Sequence, residues 1–439
     1  MAEVRAFRGF RYDLGRVGAL SDVVAPPYDV IDAALQQKLY AASPYNAVRV
    51  ELIRDEPGDG PDDKYARAGR TLRDWVAEDI LRQDTARAVY VYEQEFEADG
   101  RAHTRRGFLA RVKLEPLGTG RIFPHEQTLS GPKEDRLKLY RATGFNISPV
   151  FGLYPDEAGE VFAALEPFTR KGPPLVATDH LGVTNRLWVV TDTQAVSAVI
   201  GMMGPKPVFI ADGHHRYETA LKYLEERKAA GEVPDDEAAP HFCLMMLVGM
   251  SDPGLLIQPT HRLVSGLPAV TSGQVESALA GQFDIVGRFG QDAVACWEHL
   301  QMDGSQEVLG FGTAADGQWF AAKLRDPGAM AGLAPEHSAE WRGLGVSILH
   351  KLVLGRLLPA ALLSGGRQPP EVGCRYVHLL DEVTAALGAK ECPLGVLVPP
   401  ATMGHVERIA GNRETMPPKS TYFYPKLLTG LVFNSLRKD

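Results

Sequence analysis

The chain is poor in cysteine: Cys243, Cys296, Cys374 and Cys392 stand far apart in 439 residues, with no CxxC pair among them. That spacing argues against a zinc knuckle and fits a reducing compartment. It also lacks an uninterrupted apolar run near the roughly 20 residues of a membrane helix, and its opening Met-Ala-Glu-Val-Arg-Ala-Phe-Arg has no signal-peptide core. The expectation is a cytoplasmic protein with no membrane partner. There is no Lys/Arg-rich run, and acidic residues outnumber basic ones, 55 to 47, so a general nucleic-acid surface is not expected. What the chain does have is 45% hydrophobic residues. That is enough to fill the cores of two or three packed units.

One stretch organises the reading. Val208, Phe209 and Ile210 form an apolar run that stops at Asp212-Gly213, after which Tyr217, Ala220, Leu221 and Leu224 recur at helical spacing. This is a strand, a tight turn and a helix start. Gly213 allows close backbone approach. The helix N-terminus, with His214, His215 and Arg216 in its first turn, is suited to hold an anion such as phosphate. The competing reading is a capped helix with a polar first turn.

Earlier in the chain, Ser21 to Ile31 runs an apolar strand into Pro26-Pro27, presenting Tyr28 and Asp29 from a rigid loop ahead of a helix around Asp32 to Tyr40. Leu72, Trp75, Val76 and Ile80 mark a helix over Tyr65 to Leu81. Ala88 to Phe96 and Thr104 to Leu114 read as two strands joined by a turn at Asp99-Gly100. The second polar segment, Pro124 to Arg136, places His125 and Glu126 past a strand end and Lys133 and Arg136 within one turn of a helix whose start suits Pro132. A carboxylate beside an imidazole can take a proton from a hydroxyl, and the cations can hold phosphate oxygens. A solvated loop before an ordinary charged helix is the alternative.

Further on, strands are expected near Leu187 to Val190 and His241 to Met250, a helix near Thr193 to Met203, and a surface loop over Gly231 to Pro240. His261 and Arg262 either join the anion site or pair at a surface. Residues 270 to 400 read as connecting α/β structure, with helices at Gln274 to Gly281 and Ser338 to Leu357 and isolated histidines. Met416 to Gly430 is too broken by proline for a helix. Its Lys419, Ser420, Thr421 and Lys426 suit a phosphate or carboxylate, with Tyr422 or Phe423 able to stack on a base. It is not a Walker A loop, because the glycine-rich approach is missing. An extended edge segment that packs its aromatics into the core is the other reading.

Together, Val24-Ala-Pro-Pro-Tyr-Asp-Val-Ile31, His125-Glu126 with Pro132-Lys-Glu-Asp-Arg136, Ala211-Asp-Gly-His-His-Arg216, Pro259-Thr-His-Arg262 and Met416-Pro-Pro-Lys-Ser-Thr421 resemble the family catalogued as domain of unknown function 1015 over nearly the whole chain. Asp212-Gly-His-His-Arg216 is also similar, more distantly, to the phosphate-binding signature of the ParB and sulfiredoxin superfamily. Its nearest version is the Asp-Gly-His-Thr-Arg of the free serine kinases, with His215 in place of the threonine. The sulfiredoxin cysteine falls at His214, which disfavours sulfinic-acid reduction. The kinases use an upstream carboxylate as base, and Glu126 stands in the matching order.

The resemblance implies a mixed α/β fold with a ParB/sulfiredoxin-like nucleotide-binding core. Residues 1–235 would form the phosphate- and nucleotide-binding region, and residues 236–439 an α/β region contributing to the same cleft. The expected function is a nucleotide-dependent phosphotransferase acting on a small hydroxylated metabolite, serine-like in kind. Gly213, His214, His215 and Arg216, with Lys133, Arg136, Lys419, Ser420 and Thr421, would bind ATP, ADP or CTP. Glu126, His125 and Asp212 would act on the acceptor, and Mg²⁺ would bridge phosphate oxygens. A CTP- or ATP-binding regulatory switch, and a metal-dependent hydrolase built on Asp212, His214, His215 and His125, are the alternatives. The oligomeric state is left open.

Overall fold

The structure, a computed structural model, describes residues 2–98, 100–127, 133–363 and 372–437. It divides into two compact units. The first comprises residues 1–124, 128–256 and 425–439, and the second residues 125–127 and 257–424. The sequence reading placed its break at 235–236; the division by contacts comes after Leu256 and returns the last residues of the chain to the first unit.

The first unit is built on a nine-stranded mixed sheet. Its strands are β1 (Val4–Arg5), β2 (Val89–Ala98), β3 (Arg101–Lys113), β4 (Ile122–Pro124), β5 (Val150–Tyr154), β6 (Leu175–Thr178), β7 (Thr184–Val190), β8 (Val208–Asp212) and β9 (Phe242–Gly249). They lie in the order β4-β8-β5-β9-β3-β2-β7-β6, with β1 beside β3. The expected hairpin is present as β2 and β3, which pair antiparallel from Ala98 opposite Arg101, with Gly100 at φ 68°. Asp99 lies outside the described residues.

Five helices of this unit follow: α1 (Ala33–Ala42), α2 (Asp63–Ala77), α3 (Lys133–Thr143), α4 (Thr193–Met203) and α5 (His214–Ala229). Leu137 and Tyr140 of α3, Val199 and Met203 of α4, and Tyr217, Ala220 and Leu224 of α5 join Val89, Val91, Phe108, Val112, Val208, Ile210 and Leu247 of the sheet in one core. Each large apolar side chain buried there contributes about 1.5–3 kcal/mol.

Polar groups inside this unit fix the chain's end. Cross-strand partners Gln94 and Arg105 face inward. Arg105 donates to the carbonyl of Pro425 and to Gln94, while Gln94 Nε2 donates to Lys426 O at 3.1 Å and to Asn185 Oδ1 at 3.1 Å. Tyr92 donates to Asn185 Oδ1 at 2.6 Å and accepts from the N–H of Leu428 at 3.3 Å. These side chains are fully buried, so an unmet partner among them has no water to turn to.

The second unit holds a six-stranded antiparallel sheet: β10 (His261–Ser265), β11 (Phe283–Gly290), β12 (Val308–Thr313), β13 (Trp319–Leu324), β14 (Gly373–Val377) and β15 (Leu394–Leu397), in the order β11-β13-β12-β15-β10-β14. One core packs Leu309, Phe311, Phe320 and Val396 with Val275, Leu279, Leu352, Val353 and Ile409. Another packs Cys296, Leu300, Val383 and Leu387 with Leu263, Val308 and Leu397.

The helix expected over Ser338–Leu357 is broken. A short helix, Ala339–Arg342, ends before Gly343, and the chain then runs from Gly345 through a π-helical stretch, Ile348–Leu357. Gly345 is the reason for the close approach there, because a Cβ would stand 2.9 Å from the carbonyl of Gln306. By length and composition alone Gly345–Leu362, with a mean hydropathy of 1.4, is apolar enough to cross a membrane, which the sequence reading did not anticipate. Half of it is buried in the protein. Its Ile348, Leu349, Leu352 and Val353 belong to the core of the second unit, the packing of a core helix.

Asn185→Ala is expected to lower unfolding free energy by about 2 kcal/mol, the cost of stranding the buried Tyr92 hydroxyl and Gln94 amide. Urea titration followed by circular dichroism measures it; an unchanged midpoint would mean the network is slack.

Candidate functional site

The Asp212-Gly213 junction sits where β8 ends and α5 begins. The pairing of β8 with β5 shifts register between Ile210 and Asp212, a local irregularity that skips Ala211 and sets Asp212 opposite Phe151. Gly213 then takes φ 84°, ψ 28°, a left-handed conformation that favours glycine. A Cβ on it would meet the Arg216 guanidinium at 2.8 to 3.0 Å. Conformation and space both require glycine here. As the N-cap of α5, Gly213 has no side chain to cap with, and no acidic residue falls in the helix's first turn. The 16-residue helix places basic Arg227 and Lys228 in its last turn, matching its dipole.

Cations surround the Asp212 carboxylate. Lys426 Nζ lies 3.3 Å and Arg216 Nη2 3.5 Å from Oδ2, and the N–H of Gly213 donates to Oδ1 at 2.9 Å. Burial opposes ionisation of Asp212, but Lys426, Arg216 and His214 outweigh it and hold the carboxyl well below the usual carboxylate range. Arg216 is itself buried, 5% exposed, and also donates to the carbonyl of Pro149. Burial disfavours its charge; Asp212, Asp29, Tyr28 and Glu51 restore it and raise the guanidinium above its ordinary value. Arg216 thus fixes the turn from inside.

The segment before α1 reaches the same cluster. Tyr28 and Asp29 act electrostatically on Arg216, and burial, with Asp29 next in weight, pushes the Tyr28 phenol up to about 12. Arg136 stacks on the Tyr28 ring at 4.2 Å, donates to Asp135 at 2.8 Å and to the carbonyl of Glu51 at 2.8 Å, and lies 3.5 Å from the Glu51 carboxylate. Lys133 opens α3. Pro132 and the side chain of Lys133 lie outside the described residues.

His125, Glu126, Lys419, Ser420 and Thr421 gather in the second unit. Glu126 accepts backbone N–H bonds from Lys419 at 2.7 Å, Ser420 at 3.1 Å and Thr421 at 3.4 Å, and the Thr421 hydroxyl at 3.3 Å. His125 Nε2 is 2.6 Å from the same hydroxyl, and its ring meets Phe423 edge-on. His261 and Arg262 are buried in this unit rather than paired at a surface. Arg262 donates to Lys419 O at 2.9 Å and to His350 Nε2 at 3.3 Å, and burial lowers it to about 10. Among the described residues there is no group of three or more His, Cys, Asp or Glu side chains placed to hold a metal ion.

A family model described as "Protein of unknown function (DUF1015)" matches residues 4–347, well over half of the sequence. The chain belongs to that family. No curated protein matches this member of DUF1015. Among solved structures, a conserved hypothetical protein from Pyrococcus furiosus aligns with a TM-score of 0.32 at 13% identity, covering 69% of this chain and 87% of that one. A free serine kinase in complex with AMP gives 0.33 at 12% identity, with 69% and 83% coverage. SbnI with a C-terminal truncation, from Staphylococcus aureus, gives 0.33 at 12%, with 74% and 86%. Likenesses this loose leave the chemistry of this DUF1015 chain to its own residues.

The residues that sequence reading passed over are those that hold others in place. Pro149 supplies a carbonyl to Arg216, Glu51 an acid to Arg136, and Tyr92, Gln94, Arg105 and Asn185 seat the backbone beside Lys426. One signal existed: counting outward from the Asp99-Gly100 turn pairs Gln94 with Arg105.

Gly213→Ala should lower the melting temperature by several degrees, because the left-handed conformation alone costs about 1–2 kcal/mol and the Arg216 overlap adds to it. Differential scanning calorimetry reads this. For Asp212 the folded pKa lies below the unfolded value of about 3.9, so its stabilisation is complete above that pH and is lost as the pH falls through and below it. Asp212→Asn should therefore flatten the acid limb of stability against pH; an unaltered limb would remove the ion cluster from the account.

Proposed function

We propose that the chain is a nucleotide-dependent phosphotransferase for a small hydroxylated metabolite, serine-like in size, that holds its nucleotide at the start of α5. The observation that carries this is the Asp212-Gly213 junction: a glycine-capped helix N-terminus flanked by Lys426 and Arg216, with an ionised carboxylate at its entrance. The residues fit a phosphate group. Backbone N–H groups of the first turn and the helix dipole favour an anion, no acid falls within that turn itself, and glycine lets the backbone approach closely.

In this reading the backbone from Gly213 to Arg216, with His214 and His215, cradles the phosphates of ATP, ADP or CTP. Lys426 supplies the cation closest to the Asp212 carboxylate, and buried Arg216 and Arg136 supply further positive charge. Mg²⁺ would accompany the nucleotide and neutralise its phosphate oxygens. Asp212, acceptor-only when ionised, orients the acceptor hydroxyl. Its low basicity is no obstacle, because a loose transition state asks for positioning and charge neutralisation more than for a strong base. The similarity of the Asp212 to Arg216 motif to the free serine kinases points the same way.

One observation favours a second reading, a nucleotide-binding switch without transfer. Glu126, the base that the resemblance implies, has its carboxylate committed to backbone N–H groups of its own unit.

A thermal-shift screen with ATP, ADP and CTP, with and without Mg²⁺, followed by phosphoryl-transfer assays on serine and other hydroxyl amino acids, separates these. Stabilisation with transfer supports the kinase and stabilisation alone the switch, while no response to any nucleotide sinks both. Lys426→Met should weaken nucleotide affinity about tenfold or more, the loss of one charge-assisted hydrogen bond of about 1.5–3 kcal/mol.

A further inference from the structure

The turn at Lys419–Thr421 in the second unit has the build of a binding site in its own right. Three consecutive backbone N–H groups converge on one carboxylate, that of Glu126, at 2.7, 3.1 and 3.4 Å, and the Thr421 hydroxyl joins them at 3.3 Å. Successive N–H groups aimed at one point form a concavity that binds anions. The backbone is held to this shape against its preference: Lys419 takes φ 59°, a left-handed conformation uncommon for a residue with a side chain.

The surroundings make the turn rigid. The Ser420 hydroxyl donates to the carbonyl of Pro417 at 2.5 Å, and buried Arg262 donates to the carbonyl of Lys419 at 2.9 Å. That bond anchors the Lys419 carbonyl to a buried side chain. His125 Nε2, 2.6 Å from Thr421 Oγ1, fixes the hydroxyl. The Glu126 backbone does not depend on its side chain for its place, because Met416 N donates to His125 O at 2.8 Å and Gln127 N to Met416 O at 3.0 Å. Lys419 is exposed, and the Glu126 side chain keeps 14% of its surface, so the turn opens to solvent.

We propose that Lys419–Thr421 is a binding turn for a small oxyanion, the carboxylate or phosphoryl group of a metabolite, and that the Glu126 side chain is its resident occupant. An arriving oxyanion takes over the three N–H bonds and the Thr421 hydroxyl and releases the Glu126 carboxylate. A tethered carboxylate competes at an effective concentration in the millimolar range. The intact protein therefore answers only to oxyanion above that range, and removing the tethered group unmasks the turn. This does not rest on the phosphotransferase reading, since it involves neither nucleotide nor α5.

The test uses the full chain with Glu126→Ala, followed by melting temperature against acetate and against inorganic phosphate at constant ionic strength, with chloride as control. The expected result is a saturable stabilisation of the variant at concentrations about tenfold or more below any response of the wild type, abolished by adding Thr421→Val and absent with chloride. Response to acetate alone assigns a carboxylate site, and response to phosphate a phosphoryl site. A folded variant with the flat profile of the wild type overturns the proposal. Should Glu126→Ala show no cooperative transition, Glu126→Gln, equal in length and uncharged, takes its place under the same criterion.

Discussion

The partly buried ion cluster at Asp212 is the constraint on which the first unit's chemistry depends. A carboxylate withdrawn from water is costly to keep ionised unless cations and N–H groups replace its hydration. Here Lys426, Arg216 and the N–H of Gly213 do so. One of those cations comes from the last residues of the chain and the other from the helix that the carboxylate introduces. Strand end, helix start and C-terminal segment are thereby tied at one point. The backbone around Lys426 is seated by Arg105 at Pro425, Gln94 at Lys426 and Tyr92 at Leu428, and Gln94 and Tyr92 in turn bond Asn185.

The two carboxylates that stand out differ in what compensates them. Asp212 is held by cations, which stabilise its charge beside a helix N-terminus. Glu126 is held by backbone N–H groups and a hydroxyl, so what it covers is itself an anion receptor. The first arrangement suits an added anion beside the carboxylate, the second an anion in place of it. This distinction follows from donor type alone.

Arginine does structural work throughout. Arg105, Arg136, Arg216 and Arg262 are all buried, and each donates to a main-chain carbonyl, of Pro425, Glu51, Pro149 and of Thr260 and Lys419 respectively. A planar fork with several donors can serve a carbonyl and a carboxylate at once, which lysine cannot do with the same geometry. Two of these, Arg136 and Arg216, looked from their spacing like groups reaching outward for phosphate. Their burial adds what spacing does not show: a basic residue in the first turn of a helix can carry its charge while its donors serve the chain itself.

Local pattern was sufficient for several elements, though not for the strand expected ahead of Pro26, where a 3-10 turn, Leu20–Asp22, stands instead. The apolar run before Asp212, the turn at Asp99-Gly100 and the helical stripe of Leu72 and Trp75 each announced their structure, because periodicity and turn chemistry are properties of neighbouring residues. The need for glycine at 213 was legible for the same reason. The mixed sheet order, the return of residues 425–439 to the first unit, the breaking of the helix after Arg342 and the capture of Glu126 by Lys419–Thr421 were not. They are settled by residues far apart in the chain meeting in the same buried space or at the same donors. The sequence by itself determined which residues carry charge and which turns they sit on; only the tertiary structure decided which of those charges satisfy one another.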